Sequence, residues 1–146
     1  VMDYGQALSE IARVLRPTGR TLHFFPSRWR PVEPHVRVPL ATVLRGRPWL
    51  RLWAAAGVRN EFQAGLTARQ VAELNRDYLR DQTNYLGRSA LEEHFRRAFG
   101  HVEFVERLIF NTSGRRGAAT LSRVPLAMRG YSALVARLVL AGHGDR

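Results

Sequence analysis

The chain has 146 residues, a formal net charge of +11 and 45% hydrophobic residues. This length allows one domain with a hydrophobic core, and the apolar runs are too short for a transmembrane helix. Because the sequence contains no cysteine, disulfides and thiolate metal sites are excluded. The histidines show no metal-binding spacing, and no secretion signal is expected. We therefore expect one domain of a soluble, cytoplasmic protein.

The positive charge of the chain comes from arginine alone, with 23 arginines and no lysine. Binding to a phosphate backbone needs cations clustered on one face, whereas the longest runs here are the pairs Arg96-Arg97 and Arg115-Arg116. A GC-rich coding bias would produce the same composition without selection for phosphate binding. We expect no nucleic-acid partner. The alternative that the charge leaves open is a noncatalytic basic interaction module that binds nucleic acid or an anionic membrane surface.

The first clear element is a helix followed by a strand. Residues 3–16 carry apolar side chains at helical spacing, with Asp3 suited to be the N-cap. Pro17 and Gly19 prevent the helix from continuing, and Gly19 is expected to supply a positive φ there. The short apolar run over residues 21–25 predicts a buried strand. Its carboxyl end lies where open α/β sheets bind their ligands.

Several later elements are predicted from capping residues, proline positions and apolar periodicity. In chain order they are a helix from Pro48, helices from capping boxes at Thr67 and Ser89, a strand over residues 102–110, a short final strand over residues 118–123 antiparallel to it, and a last helix over residues 125–141. Helices that alternate with strands favour an α/β fold.

One segment of the sequence carries a family resemblance. Residues 7–20, ALSEIARVLRPTGR, resemble the E-I-x-R-V-L-R-P-G-G segment before the fifth strand of class I S-adenosylmethionine-dependent methyltransferases, in their type 11 group. Residues 84–95 resemble the later helix before the sixth strand. The resemblance implies an α/β fold in which residues 1–146 form a single partial domain, the carboxyl-terminal part of a Rossmann-like sheet with flanking helices. Residues 28–83 would be a loop and helical insertion after the first strand.

The same resemblance implies an enzyme and a cofactor. Such methyltransferases bind S-adenosylmethionine through a glycine-rich turn and an acidic residue that precede the matching segment, and no G-x-G-x-G occurs in this chain. The cofactor would therefore be bound mainly by an amino-terminal part outside this chain, and no cofactor-binding residue is assigned. The intact parent would methylate a small-molecule, lipid or glycan acceptor, whereas this fragment alone would be inactive and could self-associate through uncovered surface.

The loop after the first strand holds the candidate catalytic residues. His35 is suited to remove a proton from an acceptor hydroxyl, because an imidazole is partly neutral at physiological pH, and Glu33 could orient it. The alternative is that Glu33 and His35 only fasten the loop through hydrogen bonds. Four further side chains are candidates for acceptor binding: Arg28, Trp29, Asn84 and Tyr85. For Asn84 and Tyr85 the alternative is a turn followed by an aromatic core contact.

Overall fold

The computed structural model describes residues 2–115 and 117–143. The chain divides into two compact units, one formed by Asp3–Ser27 with the described residues from Tyr85 onward, and the other by Arg28–Asn84 with Met2. None of the described helices combines the length and apolarity that crossing a bilayer requires.

The secondary structure is mixed α/β, in agreement with the class expected from the sequence. In chain order the elements are α1 (Tyr4–Val14), β1 (Arg20–Pro26), α2 (Arg47–Ala55), α3 (Ala68–Asp81), α4 (Arg88–Ala98), β2 (His101–Phe104), α5 (Glu106–Thr112), α6 (Ala118–Leu121), α7 (Pro125–Leu134) and β3 (Ala136–Gly142). A short 3₁₀ helix, Glu61–Gln63, lies between α2 and α3.

The first unit contains a three-stranded sheet in the order β1-β3-β2. Strand β3 runs antiparallel to both neighbours, with Pro26 opposite Ala136 and Phe104 opposite Val139. Strands β1 and β2 are therefore parallel to each other and are separated by the last strand. Because β3 is central, nearly all its residues are buried, whereas exposed and half-buried residues alternate along β2.

Helices α1 and α4 cover one face of this sheet. Phe95 of α4 has no exposed surface, and its ring lies 5.0 Å from His23, 5.8 Å from Phe25 and 5.9 Å from Phe99, measured between ring centroids. The buried residues of this core are Leu8, Leu91, Phe95, Phe99, Val139 and Ala141. Contacts between aromatic rings and aliphatic side chains in this layer hold the two helices on the sheet.

The amino-terminal helix and strand that the sequence predicts are confirmed. The expectation that this strand is buried is wrong, because Leu22 and Phe24 expose 51% and 56% of their surfaces. The Asp3 carboxylate accepts a hydrogen bond from the Gln6 backbone N–H at 2.9 Å, which caps α1. The expectation for Gly19 is wrong, because its φ does not lie in the left-handed region. Glycine is needed there for space: a Cβ on Gly19 would lie 2.9 Å from the Arg16 carbonyl oxygen, and one on Gly142 would lie 2.8 Å from the Gly19 carbonyl oxygen.

The carboxyl-terminal third of the chain differs most from the sequence predictions. The strand predicted over residues 118–123 is helix α6, and the helix predicted over residues 125–141 ends at Leu134. Strand β3 follows, because the chain from Ala136 pairs with both neighbouring strands and buries Leu138 and Val139. A short apolar run of this kind has no period that separates a buried strand from a helix.

Two further boundaries also differ. The strand predicted over residues 102–110 ends at Phe104, and helix α5 begins at Glu106, whose side chain is buried. Alternation over so few residues does not exclude a helical turn. Helix α4 begins at Arg88 after Gly87, without a side-chain cap, so the capping box predicted at Ser89 is absent. The box predicted at Thr67 is present and begins α3.

His23 makes the stability of the first unit depend on pH. Its Nε2 lies 2.8 Å from Thr21 Oγ1, and burial lowers the pKa of the imidazole below its ordinary value of 6.5. The unfolded chain therefore takes up this proton at higher pH than the folded chain. The stabilisation from neutral His23 is complete above about pH 6.5 and is lost as the pH falls through the folded-state pKa.

We expect the free energy of unfolding of His23→Gln to fall less than that of the wild type between about pH 7 and pH 5. Urea titrations at a series of pH values measure this slope. His101→Gln, at an exposed position in β2, is the control and should keep the wild-type slope. If the free energy of unfolding depends on pH equally in His23→Gln and the wild type, His23 is not the group responsible.

Candidate functional site

The second unit is a pair of helices with a long loop anchored to it. Helices α2 and α3 pack against each other around a core that includes Leu50 and Leu79. The loop contributes Val36 and Val38, neither of which has more than 1% of its surface exposed. Burial of these two valines fixes the loop against the helices, so the side chains between and beside them have defined positions.

The backbone of this loop is closed by its own hydrogen bonds. Val32 and Pro39 form an isolated antiparallel bridge, and the Leu40 N–H donates to the Pro31 carbonyl oxygen at 2.8 Å. Arg37 and Leu40 have φ values of 59° and 52°, in the left-handed region that non-glycine residues seldom adopt. Strained backbone of this kind is concentrated at functional sites.

Glu33 is buried at the centre of the loop, with no exposed side-chain surface. Its Oε2 atom accepts hydrogen bonds from the backbone N–H groups of His35, at 2.8 Å, and Val36, at 2.7 Å. Its Oε1 atom lies 2.8 Å from His35 Nδ1. The same carboxylate thus fastens the loop and holds the imidazole, so it combines the two roles considered from the sequence.

The contact with Glu33 defines which nitrogen of His35 is available. When Glu33 is ionised, its carboxylate only accepts hydrogen bonds, and His35 Nδ1 then carries the proton. The neutral ring then presents an unprotonated Nε2, and about half of the His35 side chain, 55%, is exposed. The contact with Glu33 orients an accessible imidazole, and an ionised Glu33 would leave Nε2 free to accept a proton, as a general base requires.

Two residues beside His35 were not expected from the sequence. The ring of Tyr78, on α3, lies 5.4 Å from the His35 ring, and Asn60 Nδ2 donates to the His35 carbonyl oxygen at 3.3 Å. Burial raises the pKa of the Tyr78 hydroxyl, and the negative charge of Glu33 raises it further. The hydroxyl therefore stays protonated at neutral pH. Tyr78 fits the apolar stripe of α3, so its spacing indicated only a core position.

The four candidates for acceptor binding are divided between the two units. Arg28 and Trp29 are exposed residues of the second unit. Asn84 is half-buried, and its Nδ2 donates to the Met2 carbonyl oxygen at 3.1 Å. Tyr85 is half-buried and belongs to the first unit. Among the candidate site residues, Glu33 and His35 are joined by a direct hydrogen bond.

The ends of the two parallel strands lack the cofactor-binding features that the resemblance implies for an amino-terminal part outside this chain. Strand β1 is followed by Ser27, which is buried, and whose hydroxyl donates to the Ala133 carbonyl oxygen while its N–H donates to the Val135 carbonyl oxygen. Strand β2 is followed by Val105 and helix α5. Neither strand leads into a glycine-rich turn or ends on an acidic side chain.

Comparisons with protein-family models, with curated proteins and with solved structures give no match for this chain. The resemblance of residues 7–20 to methyltransferases therefore has no support from relatives. A function for the chain has to be derived from the chemistry of its own residues, among which Glu33 and His35 form the best defined pair.

Proposed function

We propose that this chain is the carboxyl-terminal part of a class I S-adenosylmethionine-dependent methyltransferase, and that it supplies the acceptor side of the active site. In this proposal His35 takes the proton of an acceptor hydroxyl, on a small molecule, a lipid or a glycan. The single observation that carries the proposal is the hydrogen bond between the buried Glu33 carboxylate and His35 Nδ1.

The chemistry proposed for this chain is proton removal. S-adenosylmethionine, bound mainly outside this chain, would supply the methyl group. His35 Nε2 would accept the hydroxyl proton, and the carboxylate of Glu33 would stabilise the resulting imidazolium through Nδ1. Tyr78, which stays protonated at neutral pH, could donate a hydrogen bond near the same ring. An imidazole acts as a general base through an unprotonated nitrogen, and the contact with an ionised Glu33 would leave Nε2 in that form.

The sheet supports the fold part of the proposal. Strands β1 and β2 are parallel and are joined by a long connection that includes helix α4. Parallel strands joined through helices are the repeating unit of doubly wound α/β sheets, and such sheets often include an antiparallel strand. Helix α1 and strand β1, which carry the family-like residues 7–20, are the first helix and strand of this unit.

The uncovered face of the sheet supports the proposal that the domain is partial. Leu22 and Phe24 of β1 expose 51% and 56% of their surfaces. Doubly wound sheets are covered by helices on both faces, so neighbouring apolar side chains on one face are normally buried. A larger domain that covers Leu22 and Phe24 would remove this exposed surface, and the chain alone would be prone to self-association.

Calorimetry with S-adenosylmethionine tests the proposal. We expect no micromolar binding to this chain alone, because the described residues contain no glycine-rich turn after a strand. We expect binding and methyl transfer for the polypeptide that also includes residues encoded upstream of Val1, and a lower transfer rate for its His35→Gln variant. An extended polypeptide that folds without binding S-adenosylmethionine would overturn the methyltransferase proposal, and micromolar binding to the chain alone would overturn its fragment part.

The second candidate function is a basic interaction module, which the net charge of +11 favours. Against it, Arg96 and Arg97 on α4 pair with Glu92 and Glu93, so the longest basic run in the described residues is neutralised locally. If methyl transfer is the function, binding to DNA or to anionic vesicles should stay weak at every salt concentration. Tight binding at low salt that falls steeply as salt rises would favour the interaction module. Electrophoretic shift measures the binding to DNA, and vesicle flotation measures the binding to anionic membranes.

A further inference from the structure

A buried arginine in the first unit has no role in the proposed function. Arg137 is the second residue of β3, opposite Phe25 of β1, and only 6% of its surface is exposed. Its Nε and Nη1 atoms are buried and have no hydrogen-bond partner among the described residues. A guanidinium is always charged at neutral pH, and a buried charge without hydrogen bonds is strongly unfavourable. The position therefore calls for an anion.

The residues around Arg137 leave an excess of positive charge. Glu106 is buried, and its Oε1 atom accepts from Ser132 Oγ at 2.8 Å and from Arg88 Nη1 at 3.4 Å. The Arg88 guanidinium lies 3.7 Å from the centre of the Phe104 ring. Burial lowers the pKa of Arg137, the charge of Arg88 lowers it further, and Glu106 acts in the opposite direction. The Glu106 carboxylate is therefore hydrogen-bonded to Ser132 and Arg88, and it accepts no hydrogen bond from Nε or Nη1 of Arg137.

Arg137 also lies where ligands of α/β sheets bind. Pro26, at the end of β1, pairs with Ala136, and the Val105 N–H, just after β2, donates to the Leu138 carbonyl oxygen at 2.8 Å. The beginning of β3 is therefore beside the carboxyl ends of both parallel strands. In open α/β sheets the carboxyl ends of the parallel strands form the ligand-binding edge.

We propose that Arg137, together with Arg88, binds the carboxylate or phosphate group of a small-molecule ligand at this edge of the sheet. The planar guanidinium fork donates pairs of hydrogen bonds to the oxygens of such groups. One anionic group would provide acceptors for Nε and Nη1 of Arg137, once the side chains that cover these two buried atoms move aside, and would offset the charge of the guanidinium. This site lies within the first unit and does not require methyl transfer, so its failure would leave the proposed function standing.

Calorimetric titration of the full chain with inorganic phosphate and with formate, at an ionic strength kept constant with sodium chloride, tests the site. We expect saturable binding of at least one of these anions at one site per chain. Arg137→Met should lower that affinity by about tenfold or more, the effect of losing a hydrogen-bonded charge. Arg88→Gln should lower it as well. Arg107→Gln, at an exposed arginine next to Glu106, is the matched control and should bind as the wild type does.

The two anions distinguish the ligand chemistry. Tighter binding of phosphate assigns the site to a phosphate group, and equal or tighter binding of formate assigns it to a carboxylate. If Arg137→Met does not fold, Arg88→Gln carries the comparison with Arg107→Gln. Absence of saturable binding of both anions to the wild type, or an affinity that neither Arg137→Met nor Arg88→Gln changes, would overturn the site.

Discussion

Replacing Phe95 with alanine is expected to destabilise the first unit by about 3 to 5 kcal/mol. Phe95 has no exposed surface, and its ring contacts the rings of His23, Phe25 and Phe99. Alanine would leave a cavity between α4 and the sheet that these rigid rings can fill only in part. The loss combines the transfer free energy of the ring with the cost of that cavity.

Amide hydrogen exchange of β3 residues measures the stability of the first unit in Phe95→Ala and in the wild type. All three tryptophans lie in the second unit, so tryptophan fluorescence follows that unit separately. The matched control is Phe62→Ala, because Phe62 exposes 85% of its surface, and we expect it to change stability by less than about 0.5 kcal/mol. Equal effects of the two substitutions would show that Phe95 is not a core residue.

Replacing Glu33 with alanine is expected to destabilise the second unit by about 3 kcal/mol. The substitution leaves the backbone N–H groups of His35 and Val36 without the acceptor seen in the wild type, and it releases the His35 ring. The donor groups lie in a loop whose valines are buried, so water cannot replace the carboxylate without moving them. The decrease in the free energy of unfolding should therefore approach that caused by breaking a buried, hydrogen-bonded ion pair.

Urea unfolding followed by tryptophan fluorescence measures the effect of Glu33→Ala. Glu33→Gln keeps the size and one acceptor oxygen, so it should lie between the wild type and Glu33→Ala. Glu61→Ala, at an exposed position of the same unit, should change stability by less than about 0.5 kcal/mol. Wild-type stability for Glu33→Ala would mean that the carboxylate does not hold the loop.

The parts of the fold that the sequence predicted correctly are those with local signals. The N-cap at Asp3, the apolar stripe of α1 and the prolines and glycines after it mark boundaries that neighbouring residues decide. Strand β3 depends instead on pairing with β1, which lies at the other end of the chain. Residues 136–142 carry no local sign of those partners, so a continuous helix through them fitted the sequence equally well.

In the candidate site, too, contacts between residues close in sequence could be predicted, whereas contacts that depend on packing could not. Glu33 and His35 are two residues apart in a proline-flanked loop, so their contact could be anticipated from the sequence. Tyr78 and Asn60 reach His35 only because the loop is anchored on α2 and α3 through Val36 and Val38. The buried Arg137 had no sequence signal beyond being one arginine among 23, because its isolation depends on strand pairing.

The tautomer of His35 tests most directly whether the Glu33 and His35 pair can act as a base. Long-range ¹H–¹⁵N NMR correlations at a pH where the ring is neutral distinguish a protonated Nδ1 from a protonated Nε2. A buried, ionised Glu33 requires the proton on Nδ1, and Glu33→Ala should shift the population towards the Nε2-protonated form. A wild-type ring that carries its proton on Nε2 would contradict the hydrogen bond on which the proposed function depends.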